Sequence, residues 1–218
     1  MQLLKIKPVQ WADDYQFNAY TTWEISIARL TENAVNLLQH CAFMHHSGIQ
    51  QEIFRAAYDS SEWPENQRLP FLEGFLDGHG QWDMLKFYDV VKELLECSLV
   101  HSSHGSYDIH PLIHQWLSDK VENKAVLQAE VAQILVLAVP SGGRSRRTQD
   151  ALSLKRMLYV HMQHVDKAGL SIQVAEKWAE VFRDMGNWAG ELKLRELVYD
   201  ENMKLYGFEN QRTLVTKD

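Results

Sequence analysis

Hydrophobic residues recur every three or four positions along most of this 218-residue chain, the spacing of amphipathic α-helices. Residues with side-chain oxygen atoms precede several of these segments and can cap them. The capping box Thr-x-x-Glu at 21–24 predicts a helix beginning near Thr22, and Thr31, Asp83 and Ser171 predict three more starts. Further helices are predicted over 49–58, 71–76, 123–139 and 149–165, and a pair of helices around Gly186 forms a helical hairpin that ends before Gly207.

The periodicity changes between residues 99 and 110. Two short runs, Leu99 to His101 and Ser106 to His110, flank a tight loop that contains Gly105, which predicts a β-hairpin. Pro111 suits the first position of the next helix, because proline lacks the backbone donor that is unpaired there. A helix, a two-stranded wing and another helix form the local pattern of a winged-helix fold.

Residues 141–148 are small, basic and aperiodic, and they predict a linker. The linker separates a helical and winged-helix region (21–140) from a helical region (149–218), and residues 1–20 form an irregular lead-in. The predicted fold class is therefore mainly α: a helical bundle with a winged-helix β-hairpin, followed by an α-α hairpin.

Composition narrows the class of protein. Hydrophobic residues make up 45% of the chain and charged residues 23%, as in a folded globular protein. A net charge of -7 argues against nucleic acid and anionic membranes as partners, because both repel an acidic surface. The longest apolar run, 134–139, is far too short to span a membrane. Cys41 and Cys97 lie in apolar helical patterns, where burial is expected, so we predict a reducing, cytoplasmic location.

Two stretches, Thr21 to Ser26 and Ile109 to Trp116, resemble the carboxy-terminal half of the nucleotide-binding module of fungal-type NOD-like receptors. These receptors belong to the NB-ARC branch of the STAND ATPases. In that family a Met-His-Asp motif follows the wing, and Ile109-His110-Pro111 occupies the corresponding place here with only the histidine retained. The resemblance implies that His110 faces the diphosphate of a bound nucleotide in an intact relative, whose cofactor would be ADP or ATP.

The segment from Gly186 to Leu214 is similar to one tetratricopeptide repeat of the kinesin-light-chain-like type. Ala179 and Phe182 suit the small and aromatic sites of its first helix, whereas Glu191 and Gln211 stand where the repeat has an alanine and a proline. The resemblance implies protein partners through this tetratricopeptide-type region. One repeat leaves apolar surface uncovered, so self-association or local looseness is expected.

A P-loop ending in Gly-Lys-Ser/Thr, which a STAND ATPase needs to cradle phosphates, does not occur in the sequence. We therefore expect a chain that is not an enzyme and holds no cofactor by itself. It resembles a fragment that begins after the ATPase core and stops after about one repeat. The predicted function is regulatory: a nucleotide-sensing winged helix is coupled to a tetratricopeptide array, and the array contacts other proteins.

Several residues allow alternative interpretations. Four histidines lie close together in sequence and could form a zinc site: His101, His104, His110 and His114. His110 alone could instead bond to nearby backbone. A winged-helix nucleic-acid-binding module is the alternative function, but the helix that follows the hairpin begins without Arg or Lys, and residues 81–124 carry four lysines against seven acidic residues. We interpret His45-His46 as a helix terminus, and Trp178 and Trp188 as packing residues of the helical hairpin.

Overall fold

The computed structural model describes residues 20–62, 69–140, 148–208 and 210. This part of the chain is mainly helical with one two-stranded antiparallel sheet, which confirms the coarse fold class. Helix α1 includes residues 20–27. The later elements are α2 (Glu32–Cys41), α3 (Gln51–Tyr58), α4 (Pro70–Glu73), α5 (Met84–Glu96), β1 (Val100–Ser103), β2 (Ser106–Ile109), α6 (Pro111–Lys120), α7 (Lys124–Leu137), α8 (Gln149–His164), α9 (Ile172–Asp184) and α10 (Trp188–Tyr206).

The predicted helix caps form as local chemistry dictates. The side chains of Thr31, Asp83 and Ser171 each accept a hydrogen bond from a backbone N–H in the first turn of α2, α5 and α9. The capping box at Thr21 was wrong, because α1 already includes residue 20 and Thr21 lies inside it. The rest of the lead-in, residues 1–19, and most of the predicted linker, residues 141–147, lie outside the described residues.

The hairpin between α5 and α6 pairs Val100 with Ile109 and Ser103 with Ser106. Its turn has φ of 48° at His104 and 83° at Gly105, so both central residues adopt the left-handed conformation of a type I′ turn. Backbone hydrogen bonds in both directions between Ile49 and Tyr107 add an isolated bridge beside β2. The segment that precedes α3 is therefore hydrogen-bonded to β2, the second strand of the hairpin.

Helix α2 ends at Cys41, although the hydrophobic pattern after Thr31 predicts a helix that continues to His45-His46 and stops at Gly48. Long-range hydrogen bonds explain the early end, because the backbone that follows is bound to β2 and cannot continue the helix. Ile109 N–H donates to the carbonyl of His46 at 2.7 Å, and Gly48 N–H donates to the Asp108 carboxylate at 2.8 Å. Residues 42–48 form what we call the 42–48 turn.

Helix α7 connects the two parts of the molecule. It packs against α2 and α3 on the amino-terminal side and against α8 and α9 on the carboxy-terminal side. Its carboxy-terminal half is buried nearly all round, which explains the apolar run from Ile134 to Val139. A single hydrophobic core consequently extends from Ala34 to Val198.

Helices α9 and α10 form the predicted helical hairpin and share the most extensive helix contact in the described chain. Gly190 permits their close approach, since a Cβ atom at this position would overlap the Phe182 ring. Trp178, Phe182 and Leu194 are buried and Leu197 is half-buried, because α7 and α8 also pack against α9. Trp188 is 65% exposed, so its interpretation as a packing residue was wrong.

Candidate functional site

His110 occupies the position predicted for it, directly after the hairpin. It is exposed and forms the N-cap of α6, where its Nδ1 atom accepts a hydrogen bond of 3.2 Å from Leu112 N–H. Pro111 follows at the first helical position, as the sequence predicts. Because Nδ1 accepts, the neutral ring carries its proton on Nε2. In the alternative interpretation, His110 bonds to nearby backbone, and this hydrogen bond is present in the structure. The contact of His110 with a nucleotide remains a prediction.

Five histidines from three segments converge elsewhere. His45 and His46 lie in the 42–48 turn, His114 lies on α6, and His161 and His164 lie on α8; we call these residues the histidine cluster. The ring centroids of His45 lie 4.4 Å from His46, 6.5 Å from His161 and 6.0 Å from His164. His114 lies 6.1 Å from His46 and 5.3 Å from His164.

Backbone hydrogen bonds hold the 42–48 turn in place for this convergence. Gly48 has a φ of 77°, a left-handed conformation that favours glycine and lets the chain reverse before Ile49. Asp108 of β2 accepts hydrogen bonds from the Ser47 hydroxyl at 2.7 Å and from Gly48 N–H. These bonds outweigh the effect of burial and hold the pKa of Asp108 below its usual range.

Two members of the cluster are buried and bound to carbonyl oxygens of the turn. His114 Nε2 donates to the Met44 carbonyl at 2.8 Å, and His161 Nε2 donates to the Gly48 carbonyl at 3.2 Å. His161 is 1% exposed, and its Nδ1 atom has no hydrogen-bond partner among the described residues. Helices α6 and α8 are thus fastened to the same turn through neutral imidazoles.

Burial and mutual repulsion disfavour the charged forms of the rings. Burial lowers the pKa of His161 from 6.5 to about 4, although the Gly48 carbonyl opposes this effect. The pKa of His114 is lowered by burial and by His46, and that of His164 by burial and by His114. Burial also lowers the pKa of His46, and neighbouring His45 adds to the effect. These four rings are accordingly uncharged at neutral pH.

An open pocket of about 280 Å³ adjoins the cluster. His114 and His164 line it together with Lys124 and Asp166, and Phe43 and Val165 supply apolar wall. The pocket offers neutral imidazole nitrogens and one charged group of each sign. This arrangement can exchange protons with solvent.

The sequence interpretation grouped the wrong histidines. Of the four around the hairpin, only His114 belongs to the cluster, whereas His101 and His104 lie exposed on the hairpin itself. His45 and His46 lie beyond the end of α2, so their interpretation as a charged helix terminus was wrong. The spacing of His161 and His164, three residues apart on one helix, is a sequence signal for a shared face that the sequence interpretation did not use. Within the described ranges, no three His, Cys, Asp or Glu side chains form a group that could hold a metal ion.

The two cysteines lie outside the cluster. Cys41 is buried, and burial raises the pKa of its thiol to about 12, so it remains protonated and unreactive. Cys97 is half-buried and packs against the core, so its burial is less complete than the sequence predicts.

None of the helices in the described part of the chain is both long and apolar enough to cross a bilayer. Comparison with family models, with curated proteins and with solved structures found no match to this chain.

Proposed function

We propose that this chain is a non-catalytic regulatory and protein-interaction fragment of a STAND NTPase-like, NOD-like-receptor type protein. In this proposal, residues around the hairpin form a nucleotide-sensing winged helix, and α9 and α10 begin a tetratricopeptide array. The element order supports the first part: α2, the Ile49 bridge, α3, α5 and then the β1–β2 hairpin follow one another as in a winged helix. The α9–α10 hairpin, with Gly190 packed against Phe182, supports the second.

The observation that carries the proposal is the position of α7. This helix packs against α2 and α3 in one part and against α8 and α9 in the other, within one hydrophobic core. Packed interiors transmit displacement, because they are nearly as dense as organic crystals. A shift of the hairpin part would therefore reach the tetratricopeptide-type part through α7, as a regulatory coupling requires.

His110 suits the nucleotide-facing role that we propose for it in an intact relative. Its side chain is exposed at the start of α6, and the Leu112 N–H bond to Nδ1 directs the ring proton to Nε2. An Nε2–H group is a donor of the kind that a phosphate oxygen accepts.

The surface of the winged-helix part favours protein over nucleic acid as a partner. In this element order α5, the helix before the wing, takes the place of the recognition helix, whereas the sequence interpretation had considered α6, the helix after the hairpin, for that place. Its exposed residues include Met84, Leu85 and Tyr88, which are 60%, 72% and 53% exposed. Lys120 at the end of α6 is paired with Glu24 at 2.7 Å. Apolar exposure without a basic stripe suits a protein surface better than a phosphate backbone.

Titration with nucleotides tests the proposal that this chain is regulatory and does not hydrolyse ATP. We expect the 218-residue chain to release no heat of binding with ADP or Mg-ATP and to produce no phosphate, because the sequence lacks a P-loop. Isothermal calorimetry and a phosphate-release assay measure both quantities. Micromolar ATP affinity with turnover would contradict the proposal, and tight binding of duplex DNA in the same buffer would favour the nucleic-acid alternative.

Fusion of one consensus tetratricopeptide repeat to the carboxyl end tests the interaction role. The added repeat should cover Trp188 and Leu192, which are 65% and 57% exposed on one face of α10. Burying a large apolar side chain contributes about 1.5–3 kcal/mol, so amide exchange across α10 should slow by about tenfold or more. The matched control is the same fusion with Trp188→Ser and Leu192→Ser, which should gain little protection. Equal exchange in the fused and unfused chains would overturn the tetratricopeptide assignment.

A further inference from the structure

We propose that the histidine cluster is a pH-sensitive clamp, which holds the carboxy-terminal end of α8 against the 42–48 turn and α6 near neutral pH and releases it on acidification. The proposal goes beyond the regulatory function above, because it concerns contacts within this chain alone and needs neither nucleotide nor a partner protein.

The contacts that the cluster makes with α8 all lie at the carboxy-terminal end of that helix. His161 Nε2 donates to the Gly48 carbonyl, and the His164 ring lies 6.0 Å from His45 and 5.3 Å from His114. The opposite half of α8 is fastened differently, by an ion pair of 2.5 Å between Lys155 and Asp184 of α9. Leu158 and Met162 also pack this end into the core, so loss of the histidine contacts would loosen the carboxy-terminal turns of α8 before the amino-terminal ones.

The charged groups that face the cluster offset only part of the positive charge that protonated imidazoles would bring there. Asp108 of β2 faces His46, but it is already occupied by Ser47 and Gly48 and also faces His101. Asp166 lies beside His164 in the pocket, where Lys124 of α7 and Lys167 add positive charge. Cys41, the buried thiol at the end of α2, stays neutral and supplies no compensating charge. Protonation of rings such as His46, His114 and His164, which lie 5.3–6.1 Å apart, therefore produces repulsion that nearby carboxylates offset only in part.

The direction of the pH effect follows from the lowered pKa values. His46, His114, His161 and His164 have pKa values below 6.5 when folded, so the opened form binds more protons between pH 6.5 and about 4. The clamp is fully effective above pH 6.5 and weakens as the pH falls through this range. For His161 alone, lowering the pKa from 6.5 to about 4 corresponds to a change of roughly 300-fold in the opening equilibrium constant.

Hydrogen exchange of the full chain tests the clamp. The protein is labelled at pH 7.5 and at pH 5.0, and the exchange rate of each amide is divided by its intrinsic rate at the same pH, so that the comparison reports protection alone. Between the two conditions, we expect protection of residues 157–164 to fall about tenfold or more relative to α5. An unchanged ratio of protection between these two helices would overturn the proposal.

Two variants assign the effect to the cluster. The double variant His46→Gln and His164→Gln removes two of its less buried rings, so the acid-induced loss of protection should shrink while protection at pH 7.5 is retained. The matched control, His79→Gln and His104→Asn, removes two exposed histidines outside the cluster and should behave as the unaltered chain. Equal acid-induced losses in both variants would refute the clamp.

Ring titration by NMR in the unaltered chain gives a second test that does not depend on how the variants fold. We expect four histidine resonances to titrate below pH 6.5, over the same range in which α8 loses protection. Ordinary titration of all ten histidines near pH 6.5 would overturn the proposal.

Discussion

Replacing Asp184 with alanine is expected to lower the free energy of unfolding by about 3 kcal/mol. The Asp184 carboxylate accepts a hydrogen bond of 2.5 Å from Lys155, whose side chain is only 7% exposed. Removal of the carboxylate leaves a buried ammonium group on α8 with its principal partner gone. We place the effect at the low end of the range for buried pairs, because Asp184 itself is 35% exposed and water can reach this edge.

Urea unfolding followed by circular dichroism measures this loss, and Lys155→Met provides the control. Methionine retains the apolar stem of lysine and removes the charge, so this variant should lose less than about 1.5 kcal/mol. The double variant Asp184→Ala and Lys155→Met contains no unpaired ammonium group. Its free energy of unfolding should therefore be higher than that of Asp184→Ala and close to that of Lys155→Met. A loss below about 1 kcal/mol for Asp184→Ala would show that the pair does not hold α8 to α9.

Truncation of Trp178 to alanine is expected to cost about 3–5 kcal/mol, the range for large aromatic residues in a packed core. Trp178 is fully buried on α9, within the core to which both α7 and α10 contribute. The cavity would lie where the two parts of the molecule share their packing, so the loss should appear in the global unfolding transition. Urea unfolding monitored by circular dichroism measures this change directly.

Trp188→Ala is the matched control for this prediction. It deletes the same side chain from α10 at a position that is 65% exposed, and should change stability by less than about 0.5 kcal/mol. Trp178→Phe should cost less than Trp178→Ala, since the indole Nε1 has no hydrogen-bond partner among the described residues and phenylalanine fills most of the space. Similar losses for the two tryptophans would contradict the burial that separates them.

Local chemistry made much of the fold predictable. Thr31, Asp83 and Ser171 cap helices in the structure because each side chain bonds to a backbone donor only two or three residues away. Gly105 marks the hairpin turn because that position needs a positive φ. Signals of this kind act within one or two turns of chain, so the sequence displays them directly.

Local signals failed where distant segments compete for the same backbone. The periodic pattern after Thr31 continues past Cys41, yet hydrogen bonds from β2 capture residues 46 and 48 and end the helix early. The sequence also did not show which of the two tryptophans of the helical hairpin, Trp178 or Trp188, is exposed to solvent. Trp178 is fully buried on α9, a helix that packs against α7, α8 and α10, whereas Trp188 is 65% exposed within the described chain, a difference set by tertiary packing.

By itself, the sequence determined the order of the main helices, the caps at Thr31, Asp83 and Ser171, the hairpin and the start of α6 at Pro111, because short-range hydrogen bonds and hydrophobic spacing specify each of them. Only the tertiary structure decided that His45 and His46 meet His161 and His164. These pairs are more than a hundred residues apart, and they come together because β2 fixes the 42–48 turn while α7 brings α8 onto the core. Burial and mutual proximity then lower the pKa values of these rings, a property that no local pattern of residues carries.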